Sequence, residues 1–137
     1  MENHRRLIFL VLIIFQAAHS VEEYVFALYD VFAPAQAISR LVSANIELGF
    51  VIVNTTIVLL GFWCYFARVR SGRPSATGWM WAWVVLELGN GFGHVAVAMA
   101  RGAYFPGLIT APFLFVLAAL LARQLLRVSR LSDVTDS

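Results

Sequence analysis

The sequence predicts an all-α fold, a four-helix transmembrane bundle with both termini cytoplasmic. The fold class rests on two observations. Of 137 residues, 61% are apolar or aromatic and 13% are charged, against roughly half and a quarter in a soluble domain. The apolar residues also gather in four runs of over twenty residues each, and one helical crossing of a bilayer takes about 20. Four crossings with short connections use the whole chain, so residues 1–137 are read as one domain. A third observation orients it. All ten cations are Arg; Arg5, Arg6, Arg68, Arg70, Arg73, Arg123, Arg127 and Arg130 fall on one side of the spans, Arg40 and Arg101 on the other. The Arg-rich side is expected to be cytoplasmic.

The elements follow in order. The first span covers about residues 7–31 and ends before Pro34; the second covers about 43–67. Gly72, Arg73 and Pro74 break the chain before a third span at about 78–100, and the fourth runs over about 105–126. Strands are excluded because runs this long lack the alternation of an outer-membrane barrel. Trp63, Tyr65, Trp79, Trp81 and Trp83 are expected at the cytoplasmic interface, where amphipathic rings prefer to sit. Gly89 and Gly93, four residues apart, are expected to let a neighbouring helix approach. Tyr104, Pro106 and Gly107 read as a turn at the outer surface, with Thr110 capping the helix that follows. Cys64 is a lone thiol in an apolar helix and reads as a buried hydrophobe. The tail from Ser132 to Ser137 reads as a solvated end.

The N-terminus also scans as a secretory signal: Arg5 and Arg6, an apolar stretch, then Ala18-His19-Ser20. The apolar pattern resumes at Val25, so the segment is expected to be retained as a span. Composition excludes a cytosolic enzyme, a disulfide-framed secreted module and a disordered chain. The expected location is multi-pass in a bacterial inner (plasma) membrane. The expected partners are that membrane, a lipophilic or lipid substrate and, as an open alternative, further copies of the chain; nucleic acid is not among them.

The acidic residues set the chemistry. Four of eight carboxylates, Glu22, Glu23, Glu47 and Glu87, lie inside predicted spans, where an ionised group costs about 2.5–3.5 kcal/mol or more. No Lys or Arg lies there to pair with them; His19, His94, Asn54 and Asn90 do. His19, Glu22 and Glu23 stand at i, i+3 and i+4, and Glu87, Asn90 and His94 at i, i+3 and i+7, so each set shares a helix face. At about 1.5 Å per residue, most of these groups converge in the outer half of the bilayer.

Four carboxylates and two imidazoles in a helical bundle match in number the ligand set of di-iron and di-manganese sites. The candidate metal ligands are therefore His19, Glu22, Glu23, Glu47, Glu87 and His94. The arrangement departs from that pattern, because the first helix reads His-x-x-Glu-Glu and the fourth supplies no ligand. A mononuclear zinc site on His19, His94 and one Glu is the simpler alternative. A metal-free reading has Glu and His satisfying one another by hydrogen bonds.

Three motifs carry a resemblance. His19-Ser20-Val21-Glu22-Glu23, Asn90-Gly91-Phe92-Gly93-His94 and Tyr104-Phe105-Pro106-Gly107-Leu108-Ile109-Thr110 resemble H-x-x-E-E, N-x-x-x-H and Y-x-P-G-x-x-T of the HXXEE family of small integral membrane proteins. The resemblance runs from the first span into the fourth. It implies the same polar site and adds Tyr104 and Thr110, so that Glu22, Asn90, Tyr104 and Thr110 become the candidate catalytic residues; it names no substrate. The resulting expectation is a membrane-embedded enzyme with a transition metal, iron before zinc or manganese, oxidising a lipophilic substrate by hydroxylation or desaturation. The alternatives are a mononuclear zinc hydrolase or isomerase, a metal-free acid/base isomerase, and a proton or metal-ion transporter.

Overall fold

The structure is a computed structural model that describes the backbone of residues 2–135 and the side chains of residues 2–127. Arg130 and the tail from Ser132 to Ser137 therefore fall outside the described side chains. Among the described residues, all regular structure is helical: α1 (Glu2–Val25), α2 (Leu28–Val31), α3 (Ala33–Val42), α4 (Ile46–Cys64), α5 (Ala76–Arg101) and α6 (Ala111–Thr135). A π-helical turn, Tyr65–Val69, extends α4. Among the described residues, three segments are long and apolar enough to cross a membrane: Glu2–Val25, Ile46–Val69 and Ala76–Arg101.

The first long helix stops six residues earlier than the apolar pattern suggests. Ala27 takes a left-handed backbone (φ 52°), unusual for a residue with a Cβ, and the chain turns there through α2 into α3. Pro34 near the start of α3 is placed where its missing N–H costs no helical bond. The last helix begins at Ala111 instead of residue 105, because Pro106 and Gly107 (φ 93°) hold the chain in turns.

α6 packs along α5 and α1, and α1 packs on α4, while the α4 and α5 backbones stay apart and meet through side chains such as Trp63 and Trp79. The start of α1 and the α4–α5 connection meet at one end, where Arg5, Arg6 and Arg73 surround Gly72 and Arg6 pairs with Glu2. At the opposite end Arg101 donates to the carbonyl of Val31 (3.2 Å) and lies over the Phe105 ring.

Among the described residues, two apolar clusters fill the interior. The larger, toward the Arg-rich end, joins Phe9, Leu12 and Ile13 of α1 to Cys64, Trp83, Val84, Leu114 and Leu121. Trp83 belongs to this core, edge-on to Phe9, and not to an interfacial belt, because its side of α5 also carries the buried Met80 and Glu87. The smaller cluster joins Leu28, Phe50, Ala98 and Phe105 under α2 and α3. The polar residues lie between the two.

The α5–α6 approach is made at Gly91, not at Gly89 or Gly93. A Cβ on Gly91 would stand 2.8 Å from the Ala111 carbonyl oxygen, whereas Gly89 and Gly93 face open space. Gly91 shares its face with Glu87 and His94, at i−4 and i+3, and that is the face turned inward.

Candidate metal centre

His19 and Glu23 stand one turn apart on α1, and His94 reaches them from α5. Glu23 Oε1 lies 3.3 Å from His19 Nε2 and 3.1 Å from His94 Nε2. The imidazoles cross edge to face with centroids 4.6 Å apart. All three residues are buried, and one ligand atom from each lies within 4.8 Å of the others, so the cluster can hold a metal ion.

The partners of the other ring nitrogens assign the tautomers. His94 Nδ1 lies 2.6 Å from the Pro106 carbonyl, which only accepts, so His94 carries its proton on Nδ1. His19 Nδ1 lies 2.7 Å from Thr110 Oγ1. The single Thr110 hydroxyl proton goes to Glu22 Oε2 at 2.6 Å, leaving the hydroxyl oxygen to accept from His19 Nδ1–H. In their neutral form both imidazoles therefore turn Nε2 lone pairs toward a carboxylate, and among the described residues His19 Nε2 has no hydrogen-bond partner. Three acceptors converging without a proton between them repel one another, and a cation satisfies all three. Metal-binding imidazoles are commonly oriented in this way, by a partner on the second nitrogen.

The first Glu of the motif does a different job. Glu22 Oε1 accepts from the Tyr104 hydroxyl (2.7 Å) and the Ile109 N–H (2.9 Å); Oε2 accepts from the Thr110 N–H (2.9 Å) and hydroxyl. Consecutive helical residues point about 100° apart, so Glu23 faces His94 while Glu22 faces the segment before α6. Burial and the Glu22 carboxylate push the Tyr104 phenol above its usual range. The clamped segment crosses directly over both imidazoles at Gly107, where a Cβ would stand 2.6 Å from the His94 ring and 2.7 Å from His19 Cε1. The expected surface turn is thus a lid that faces inward.

The structure does not bring all six expected ligands together. Glu22 is engaged by four donors. Glu47 is exposed near the start of α4 and accepts from Tyr24 (2.9 Å). Glu87 is fully buried, but it lies two helical turns, about 10 Å, below His94 along α5. There Asn90 hydrogen-bonds it, and Gln16, with its amide nitrogen turned inward, donates to both of its oxygens at 3.0 Å. Gln16 escaped the sequence reading, although a polar residue three before His19 in an apolar run was a signal for it. Asn54 donates to the Phe50 carbonyl of its own helix (3.3 Å).

One side of the cluster stays open. A cleft of about 490 Å³ between α3, α4 and α5 is lined by Glu23, Asn90 and His94 at its polar end and by Asn54, Val53 and Leu86 among others.

Residues 10–122 match the protein family described as "Protein of unknown function with HXXEE motif". The chain belongs to the HXXEE family. In this HXXEE protein the motif divides in two: His19 and Glu23 face the cluster, and Glu22 holds the lid. No curated protein and no solved structure matched the chain.

Proposed function

We propose that this is a four-span membrane enzyme, its Arg-rich end cytoplasmic, that holds one divalent transition metal on His19 Nε2, His94 Nε2 and Glu23 and acts on a lipophilic substrate. The observation that carries the reading is the convergence of two imidazole lone pairs on one buried carboxylate oxygen, with each second ring nitrogen already engaged. A proton shared between Glu23 and one imidazole would satisfy that pair and leave the other Nε2 unpaired, so the metal-free reading is disfavoured.

Two His and one carboxylate serve both zinc hydrolases and non-haem iron oxygenases. Crowding favours the first. Gly107 presses its backbone on both rings, leaving access mainly from the cleft, which suits a four-coordinate ion with one open position. Such an ion supplies a Lewis acid or an activated water for hydrolysis or isomerisation. The chain's own residues orient the ligands, exclude water with the lid and present the Asn90 amide to whatever enters. The apolar plug of Phe9, Leu12, Ile13 and Trp83 between the centre and the Arg-rich end favours an enzyme over a transporter, which needs a polar path to both sides.

Elemental analysis of protein purified in detergent without chelator tests this directly. About one equivalent of zinc is expected; iron in the same ratio would redirect the chemistry to oxidation while leaving the centre in place. His19→Ala, Glu23→Gln and His94→Ala should each lose the metal, and Glu47→Gln should keep it. Folded protein with no metal above background would sink the reading.

A further inference from the structure

We infer that the cleft between α4 and α5 binds a single-chain lipid with a small uncharged oxygen head group, such as a long-chain alcohol or carbonyl compound, entering sideways from the membrane. The inference deepens the proposed function, resting on the same centre and on the helices being spans.

The cleft's direction is the first argument. Its polar end, at Glu23, Asn90 and His94, lies toward α2 and α3, and its wall then follows α5 back to Val85, about 13 Å at 1.5 Å per residue. That wall leads toward the middle of the helices. A lipid in the adjoining leaflet has the same order, head nearer the surface and chain toward the midplane.

The lining is the second argument. Among the described residues no Lys or Arg lines the cleft, and the one charged group there is the Glu23 carboxylate, so none of them pairs with a phosphate or carboxylate head. A charged head would also have to pass through hydrocarbon to enter between the helices. The amides of Asn54 and Asn90 offer a donor and an acceptor each, which suits a hydroxyl or carbonyl. A volume of about 490 Å³ lies within the range of sites that hold one small ligand.

Access is the third argument. The α4 and α5 backbones stay apart along the cleft, their rings meeting beyond it at Trp63 and Trp79, and Val85 and Leu86 on the rim are exposed. Gly89 lines the cleft and has nothing within 4 Å of an added Cβ, so a larger side chain there would fill the cleft without displacing a neighbour.

The test uses the full chain in lipid nanodiscs and a long-chain primary alcohol carrying a diazirine along its chain. Irradiation should label the peptides holding Val53, Ile57, Val85 or Leu86, and unlabelled alcohol should compete roughly tenfold better than the carboxylate of equal length. Gly89→Leu should lose most labelling at unchanged metal content. Gly93→Leu, also in open space but off the cleft, should label as the parent does. Parental labelling in Gly89→Leu overturns the inference, and equal competition by the carboxylate overturns the uncharged head. Cleft labelling that persists in protein carrying no metal sustains the lipid site while the metal reading falls.

Discussion

The backbone of Gly107 lies so close to His94 that a Cβ at residue 107 would stand 2.6 Å from the ring's Nδ1 and Cε1. Gly107 also has φ 93°, a conformation that side chains resist. Strain and overlap act together, each costing about 1–3 kcal/mol. Gly107→Ala should therefore lower thermal stability clearly and displace the imidazoles, with loss of bound metal. Gly89→Ala, with open space around it, should instead be neutral or stabilising by up to about 1 kcal/mol. Equal melting temperatures for the two variants would show that the lid does not press on the rings.

Thr110 connects His19 to Glu22, its hydroxyl accepting from His19 Nδ1–H and donating to the Glu22 carboxylate. Thr110→Val keeps the shape and removes both bonds, which frees the His19 ring to turn or to change tautomer. Metal retention during dialysis should fall about 10- to 100-fold, as when the partner of a ligating imidazole is removed, while Thr110→Ser should restore most of it. Retention by Thr110→Val equal to the parent's would refute the assigned tautomer.

Glu22→Gln replaces one accepting oxygen with a donor and leaves two of the four lid donors facing an NH2 group. With hydrogen bonds to charged groups contributing about 1.5–3 kcal/mol each, destabilisation by a few kcal/mol is expected in thermal unfolding. Limited proteolysis should then cut between Gly102 and Thr110 faster than it cuts the parent there. A variant as stable and as resistant as the parent would show that the lid is held by other contacts.

Tyr104 gives the lid a pH dependence of definite sign. Burial and the Glu22 carboxylate raise its phenol above the ordinary value of about 10. Below that value the phenol is protonated in folded and unfolded chains alike, and the bond to Glu22 contributes fully. As pH rises further the unfolded chain ionises first, and the contribution is lost. The melting-temperature advantage of the parent over Tyr104→Phe should be constant near neutrality and shrink above about pH 10. An advantage unchanged at strongly alkaline pH would contradict the Tyr104–Glu22 bond.

Reporter fusions check the orientation drawn from the Arg residues. A fusion after Gly72 should report cytoplasm and one after Ser39 the exterior. The reverse would place the cleft in the inner leaflet and change which lipids reach it.

What the sequence alone determined is what local chemistry dictates. Runs of apolar residues over twenty long require helices in a membrane, because the backbone must satisfy its own hydrogen bonds there. Glu and His inside the first and third of these runs require polar partners within the protein. Helical spacing put His19 and Glu23 on one face and singled out His94. The tertiary structure decided which polar groups meet. Glu22 and Glu23 are adjacent in sequence and indistinguishable in type, yet the lid segment lies on one side of α1 and His94 on the other. Glu87 and His94 share a face, but depth along α5 separates them, and depth matters only once Gln16 is seen opposite Glu87. Gly107 read as a surface turn because a positive φ leaves the same mark on a sequence whether the turn faces water or presses on two imidazoles. Only packing across helices distinguishes those cases, since the direction of a loop is set by its partners and not by its own residues.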